Sequence, residues 1–194
     1  MTFSEWISLA IKSVTDPRDV ARWILAQHLN RETLLTALAL SVVLNTLVFF
    51  TSLMITPGAV PVILATPIGF LAIQATVLIL TILGLHGAAR MMGGTGGLED
   101  VAALLIWMQY LRVLIQLVAL VLFPISPFLI GIVMSISSFA GLWILLNFLD
   151  EAHNLGGLMK SAVVLVFGIL GMAFALSLLL VFLGVDPNGM AEYV

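Results

Sequence analysis

Arg112 is the one charge that interrupts a long apolar run of this chain. Gln109 and Gln116 stand at i−3 and i+4 from it, so on a helix both amides share its face. Arg112 follows Asp100 by twelve residues, roughly 18 Å along a helix at about 1.5 Å per residue. In a membrane-spanning helix that is close to the bilayer midplane. A central arginine there costs about 2.5–3.5 kcal/mol on insertion, so it needs a partner or a route to water. Counting inward from the same ends of the other apolar runs brings Asn45, Gln74 and Ser138 to a similar depth. Asn45, Gln74, Gln109, Arg112, Gln116 and Ser138 are therefore expected to form an intramembrane polar layer. Two roles fit such a layer. It could bind a lipid headgroup, an anion or a translocated solute through Arg112, or it could hydrogen-bond across helices and fix their packing.

A second group of titratable residues gathers at one rim. His28, His86 and His153 fall on the same side as Glu99, Asp100, Asp150 and Glu151. His86, His153 and Glu151 are weak candidates for a histidine–carboxylate metal site. Their spacing is not a ligand motif, and neither metal nor cofactor is expected. Asp150 and Glu151 are expected to end an apolar run and to pair with Lys160 or Arg90. No HExxH, phosphate-binding glycine–lysine loop or Ser/His/Asp arrangement occurs, so no enzymatic activity is expected.

The elements that hold these residues are set by composition. Hydrophobic residues make up 62 % of the chain and charged residues 9 %, against about 25 % charged in soluble domains. No Lys, Arg, Asp or Glu occurs from Thr33 to Ala89, or from Val113 to Leu149. Water cannot solvate such stretches, and the mean hydropathy of +1.23 points to lipid. Five stretches are long enough to span: 34–54, 62–85, 101–123, 128–149 and 161–183. Proline and glycine clusters divide them, among them Thr56-Pro57-Gly58, Gly93 to Gly97, Phe123 to Pro127 and Asn154 to Gly157. The expected fold is an all-α integral membrane protein of five transmembrane helices with one or two amphipathic N-terminal helices. The net charge of −3 is too small and scattered for nucleic acid, and the absence of cysteine excludes thiolate chemistry.

Orientation follows from the flanks. Lys12, Arg18, Arg22, Arg31, Arg90 and Lys160 all lie on one side of a five-span arrangement. The positive-inside rule then makes the N-terminus cytoplasmic and the C-terminus external. Residues 1–32 form a cytoplasmic amphipathic segment, 33–184 the membrane domain and 185–194 a short external tail. Eight charges in residues 1–32 precede the first apolar run, so no cleavable leader is expected. Within that segment Asp16-Pro17-Arg18-Asp19 reads as a helix start, and Val20, Trp23 and Ile24 share a face. These helices either lie on the inner leaflet, pack against the ends of the spans, or dock a partner.

Gly96-Gly97-Leu98-Glu99-Asp100-Val101-Ala102 returns as Gly156-Gly157-Leu158-Met159-Lys160-Ser161-Ala162. Each Gly-Gly turn would let the chain reverse and begin a new helix. Five spans, the early Asp16-Pro17 segment, the glycine-rich stretch Gly93–Gly97, and the histidine-containing turn before Lys160-Ser161-Ala162 together resemble the YIP family of Ypt/Rab-interacting membrane proteins. The resemblance runs over roughly residues 10 to 183. It implies a multi-pass protein of an inner membrane, of the short bacterial type, acting as a non-enzymatic organiser or adaptor of membrane partners or lipids. Membrane lipids, a protein partner or a second copy are the partners it implies. Family members meet small GTPases through a longer N-terminal region. With 32 residues before the first span, GTPase binding is not expected and no binding residues carry over. The alternative is a small transporter, channel or lipid-handling protein built on the Arg112 layer.

Overall fold

The computed structural model describes residues 3–55, 58, 60–61 and 64–182. Among them the chain forms seven helices and no strand: α1 Phe3–Thr15, α2 Pro17–Leu25, α3 Arg31–Ile55, α4 Pro67–Met91, α5 Leu98–Leu122, α6 Pro127–His153 and α7 Leu158–Phe182. Three helices begin with a capping oxygen followed by proline. The Asp16, Thr66 and Ser126 side chains accept from the backbone N–H of Asp19, Gly69 and Leu129. Proline loses nothing at a first turn, where its missing N–H would have no helical partner. Two helices end in left-handed residues, Gly93 (φ 85°) after α4 and Asn154 (φ 51°) after α6, the conformation that terminates a helix and turns the chain.

Helices α3 to α7 are each long and apolar enough to cross a membrane. The protein is an all-α, multi-pass membrane protein. Helix α4 runs from Pro67 to Met91, displaced from the expected 62–85, because Thr66-Pro67 is the stronger start signal. Residues 62, 63 and 183 and the expected tail 185–194 lie outside the described residues. The start of α3, the end of α4, the start of α5, the end of α6 and the start of α7 share one end of the bundle, the basal end.

Both repeat copies begin a helix at leucine, Leu98 and Leu158. Their glycines differ in conformation, since Gly156 and Gly157 have positive φ and Gly96 and Gly97 do not. The same need is met by different carboxylates. The Gly97 N–H donates to Asp100 Oδ2 at 2.8 Å, three residues on. The second copy has Lys160 there, and the Gly157 N–H donates instead to Asp150 Oδ1 of α6 at 2.8 Å.

Buried side chains concentrate at the basal end. On α6 no side chain from Phe128 to Trp143 is buried, whereas Ile144, Asn147 to Asp150, Ala152 and His153 are. One apolar cluster joins Val20, Ala21 and Ile24 of α2 to Leu104, Trp107, Ile144 and Phe148. A second joins Val42, Leu78, Leu85, Val101, Leu149 and Val164. Helices α4 and α7 approach closely at Gly84, where a Cβ would lie 3.0 Å from the Gly168 carbonyl oxygen. Small residues at a crossing let helix backbones meet in lipid. Gly171 has open space around it and takes no part.

The N-terminal helices are built into this end. Val20, Ala21 and Ile24 of α2 are buried against α5 and α6. Helix α1 rests on the flank of α5: Trp6 packs against Trp107 with tilted rings and centroids 4.7 Å apart, and meets Tyr110 edge-on at 5.8 Å. The Trp107 indole N–H donates to Ser13 Oγ at 3.0 Å. Of the three readings of this segment, packing against the spans is what the structure contains. The opposite face of α1 exposes Ile7, Ile11 and Val14, with Ile11 60 % exposed.

Candidate functional site

The six polar residues do not hydrogen-bond to one another among the described residues. Asn45 is 2 % exposed, and its Nδ2 donates to the Ser41 carbonyl one turn back at 2.8 Å. Ser138 is exposed and donates to the Met134 carbonyl at 2.8 Å. Both bonds lie within one helix, which is how short polar side chains satisfy themselves in lipid. Gln74 is half-buried and makes no hydrogen bond among the described residues. Gln109 and Gln116 are half-buried, and the Oε1 of each is enclosed without a donor. Arg112 is exposed and has neither ion pair nor hydrogen bond among the described residues.

Two cavities lie toward the basal end. One is apolar, lined by Val101, Leu104, Leu105, Leu145, Phe148, Leu149 and Ala152. The other, about 130 Å³, is lined by Ile24, Leu25, His28, Leu29, Glu99, Asp100 and Ala103. Arg112 lines neither of them.

The basal charges pair in a way that spacing along the chain does not reveal. Arg18 of α2 donates from Nη2 to Asp150 Oδ2 at 2.7 Å and from Nε to Asn147 Oδ1 at 3.1 Å. Arg22 lies 3.5 Å from Glu151 and also pairs with Asp19. Lys12 of α1 reaches Asp19 at 3.9 Å. Arg31 at the start of α3 donates to Glu99 Oε1 at 2.7 Å. The expected pairing of Asp150 and Glu151 with Lys160 or Arg90 is therefore corrected. Helix α2 lays its arginines over the end of α6, while Arg90 donates to the Gly94 carbonyl at 3.3 Å. The hydrogen bond from Arg22 holds the Asp19 carboxyl below its ordinary value of 3.8, with Asp16 and Lys12 adding to the effect.

The metal candidates separate. Glu151 faces Arg22. His86 of α4 and His153 of α6 come together, with ring centroids 5.4 Å apart. No group of three His, Cys, Asp or Glu side chains converges among the described residues. His28 sits in the α2–α3 connection with φ 43° and lines the second cavity with Glu99 and Asp100.

Sequence reasoning missed three features: the Arg18–Asp150 pair, the seating of Trp6 on Trp107, and the meeting of His86 with His153. The first had a signal, because unlike charges on α2 and α6 were already assigned to one side. The others join residues far apart in the chain with no local pattern.

A family model for the Yip1 domain matches residues 11–184. No curated protein and no solved structure matches the chain. The match takes in all five apolar helices, α2 and the last turn of α1, so the arginine–carboxylate belt at the basal end lies inside the matched region. This chain belongs to the Yip1 domain family.

Proposed function

We propose that the protein is a non-enzymatic organiser of the cell inner membrane that holds anionic lipids or partner proteins against its lateral surface. The observation that carries this reading is Arg112. A guanidinium exposed within a spanning helix and unpaired among the described residues needs a partner or a route to water. A lipid phosphate reached by snorkelling, or a polar group on a neighbouring protein, meets that need. The half of α6 from Phe128 to Trp143 has no buried side chain, so lipid or partner helices have wide access to it. The alternative, a small transporter or channel, would draw support from a cavity reaching Arg112, and neither cavity described above is lined by it.

The basal end is the cytoplasmic one in this proposal. Lys12, Arg18, Arg22, Arg31, Arg90 and Lys160 all belong to that end, in keeping with the positive-inside rule. The N-terminal helices pack on the spans, which leaves α1's apolar outer face to lipid.

The test is mass spectrometry of the full chain released gently from its native membrane, scoring bound lipids and proteins together. A companion retained by the wild type and lost in Arg112→Gln supports the reading. An unchanged set of companions in Arg112→Gln overturns it. Solute flux in proteoliposomes that Arg112→Gln abolishes would also overturn it, in favour of transport.

A further inference from the structure

We propose that His86 and His153 form a binding site for a first-row transition-metal ion that clamps α4 to α6 beneath the Gly94–Gly96 turn. His153 is 0 % exposed, and neither of its ring nitrogens has a hydrogen-bond partner. His86 Nδ1 is also enclosed without one. Buried polar atoms are nearly always partnered, and each exception calls for a ligand that completes it. Three such atoms on two facing rings are concentrated here. The rings do not satisfy each other, because no N–H to N hydrogen bond joins them.

The geometry matches a shared ion. Nitrogen ligands bind zinc at about 2.0–2.1 Å. Adding roughly 1 Å from nitrogen to ring centre on each side, two imidazoles on one tetrahedral ion have centroids about 5–6 Å apart. The observed separation is 5.4 Å.

The surroundings are shaped to the rings. A Cβ on Gly94 would lie 2.9 Å from His153 Cβ, and one on Gly96 would lie 3.0 Å from His153 Nδ1 and collide with the Ala152 carbonyl. Only glycine lets the turn lie this close over the imidazole. The turn is tied down at the same place, since the Thr95 N–H donates to the His153 carbonyl at 3.0 Å. His153 also feels two charges, the Asp100 carboxylate and the Arg90 guanidinium. The carboxylate offsets part of the charge an ion would bring, and the guanidinium opposes it.

Ligand chemistry selects the ion. Imidazole nitrogens suit Zn, Cu, Ni and Fe, whereas Mg and Ca need an oxygen shell. With two protein ligands the rest of the shell comes from solvent on the side of half-buried His86. Such a site is weaker than a closed four-ligand one and fits reversible occupancy.

The experiment uses the full chain in nanodiscs, with any affinity tag removed, titrated with Co(II) and then Zn(II). Visible d–d absorption of Co(II) and the thermal unfolding midpoint are recorded together. The expected result is one bound Co(II), displaced by Zn(II), with a raised midpoint. His86→Gln lowers the affinity at least about tenfold, while Glu151→Gln, altered on the arginine side of α6, leaves it unchanged. His86 is the discriminating position because it lies at the rim and its glutamine variant keeps the helix, which circular dichroism verifies. A wild type that binds no stoichiometric ion, the rings being bridged by water only, overturns the proposal. So does undiminished binding by folded His86→Gln.

Discussion

Arg18 and Asp150 meet at 2.7 Å although 132 residues separate them in the chain. The Asp150 side chain is 9 % exposed and that of Arg18 44 %. The same carboxylate accepts from the Gly157 N–H at 2.8 Å, so one side chain binds α2 to α6 and also starts α7. Asp150→Ala leaves a charge and an amide without their acceptor. The expected cost is about 1–3 kcal/mol, below the 3–5 kcal/mol typical of a fully buried pair because Arg18 keeps access to water. Asp150→Asn retains an oxygen for Gly157 and costs less. Thermal unfolding in detergent gives the order wild type, Asp150→Asn, Asp150→Ala.

Trp107 ties α1 to the bundle through the bond to Ser13 and the ring contact with Trp6. Removing the indole N–H in Trp107→Phe is expected to cost about 1–2 kcal/mol, and Ser13→Ala about 0.5–1.5 kcal/mol. The two act on one bond, so the double variant costs less than their sum. A double-mutant cycle measures that coupling. An additive result shows that the hydrogen bond does not hold α1 in place.

Gly96 and Gly131 distinguish a glycine required by close approach from one that is not. A methyl on Gly96 meets the Ala152 carbonyl and the His153 ring, whereas Gly131 on α6 has open space around it. Gly96→Ala is expected to destabilise by about 1–3 kcal/mol through overpacking. Gly131→Ala is expected to be neutral or to gain up to about 1 kcal/mol from helix propensity. Unfolding midpoints of the two variants, compared in the same detergent, check both.

The helix content and the five apolar elements were legible because charge-free runs and proline–glycine dividers are local signals. The repeat marked the turns before α5 and α7, which begin at Leu98 and Leu158 rather than at the expected 101 and 161, but not their caps, since Asp150 comes from a different helix. Docking of α1 and α2 was one of three readings; hydrophobicity alone makes Ile11, which faces outward, and Trp6, which packs on Trp107, look equivalent. Depth counting grouped Asn45, Arg112 and Ser138, but depth says nothing about which side of each helix faces inward. In lipid both sides are apolar, so the alternation that marks buried faces in soluble proteins is absent. Asn45 is buried, while Arg112 and Ser138 are exposed.

That exposure decides what Arg112→Leu does to the fold. Arg112 makes no bond among the described residues, so its removal breaks none there, and stability changes by no more than about 0.5 kcal/mol. Membrane insertion of α5 becomes easier by about 2.5–3.5 kcal/mol, the cost a central arginine carries. Arg18→Leu, by contrast, removes the partner of Asp150 and lowers stability. The measurement is a parallel melt of the two variants with a glycosylation-mapped insertion assay for α5. A fold that collapses in Arg112→Leu would mean that the arginine is structural glue. A stable fold that inserts more readily and loses its bound companion means that the chain carries the insertion cost for what Arg112 holds outside it.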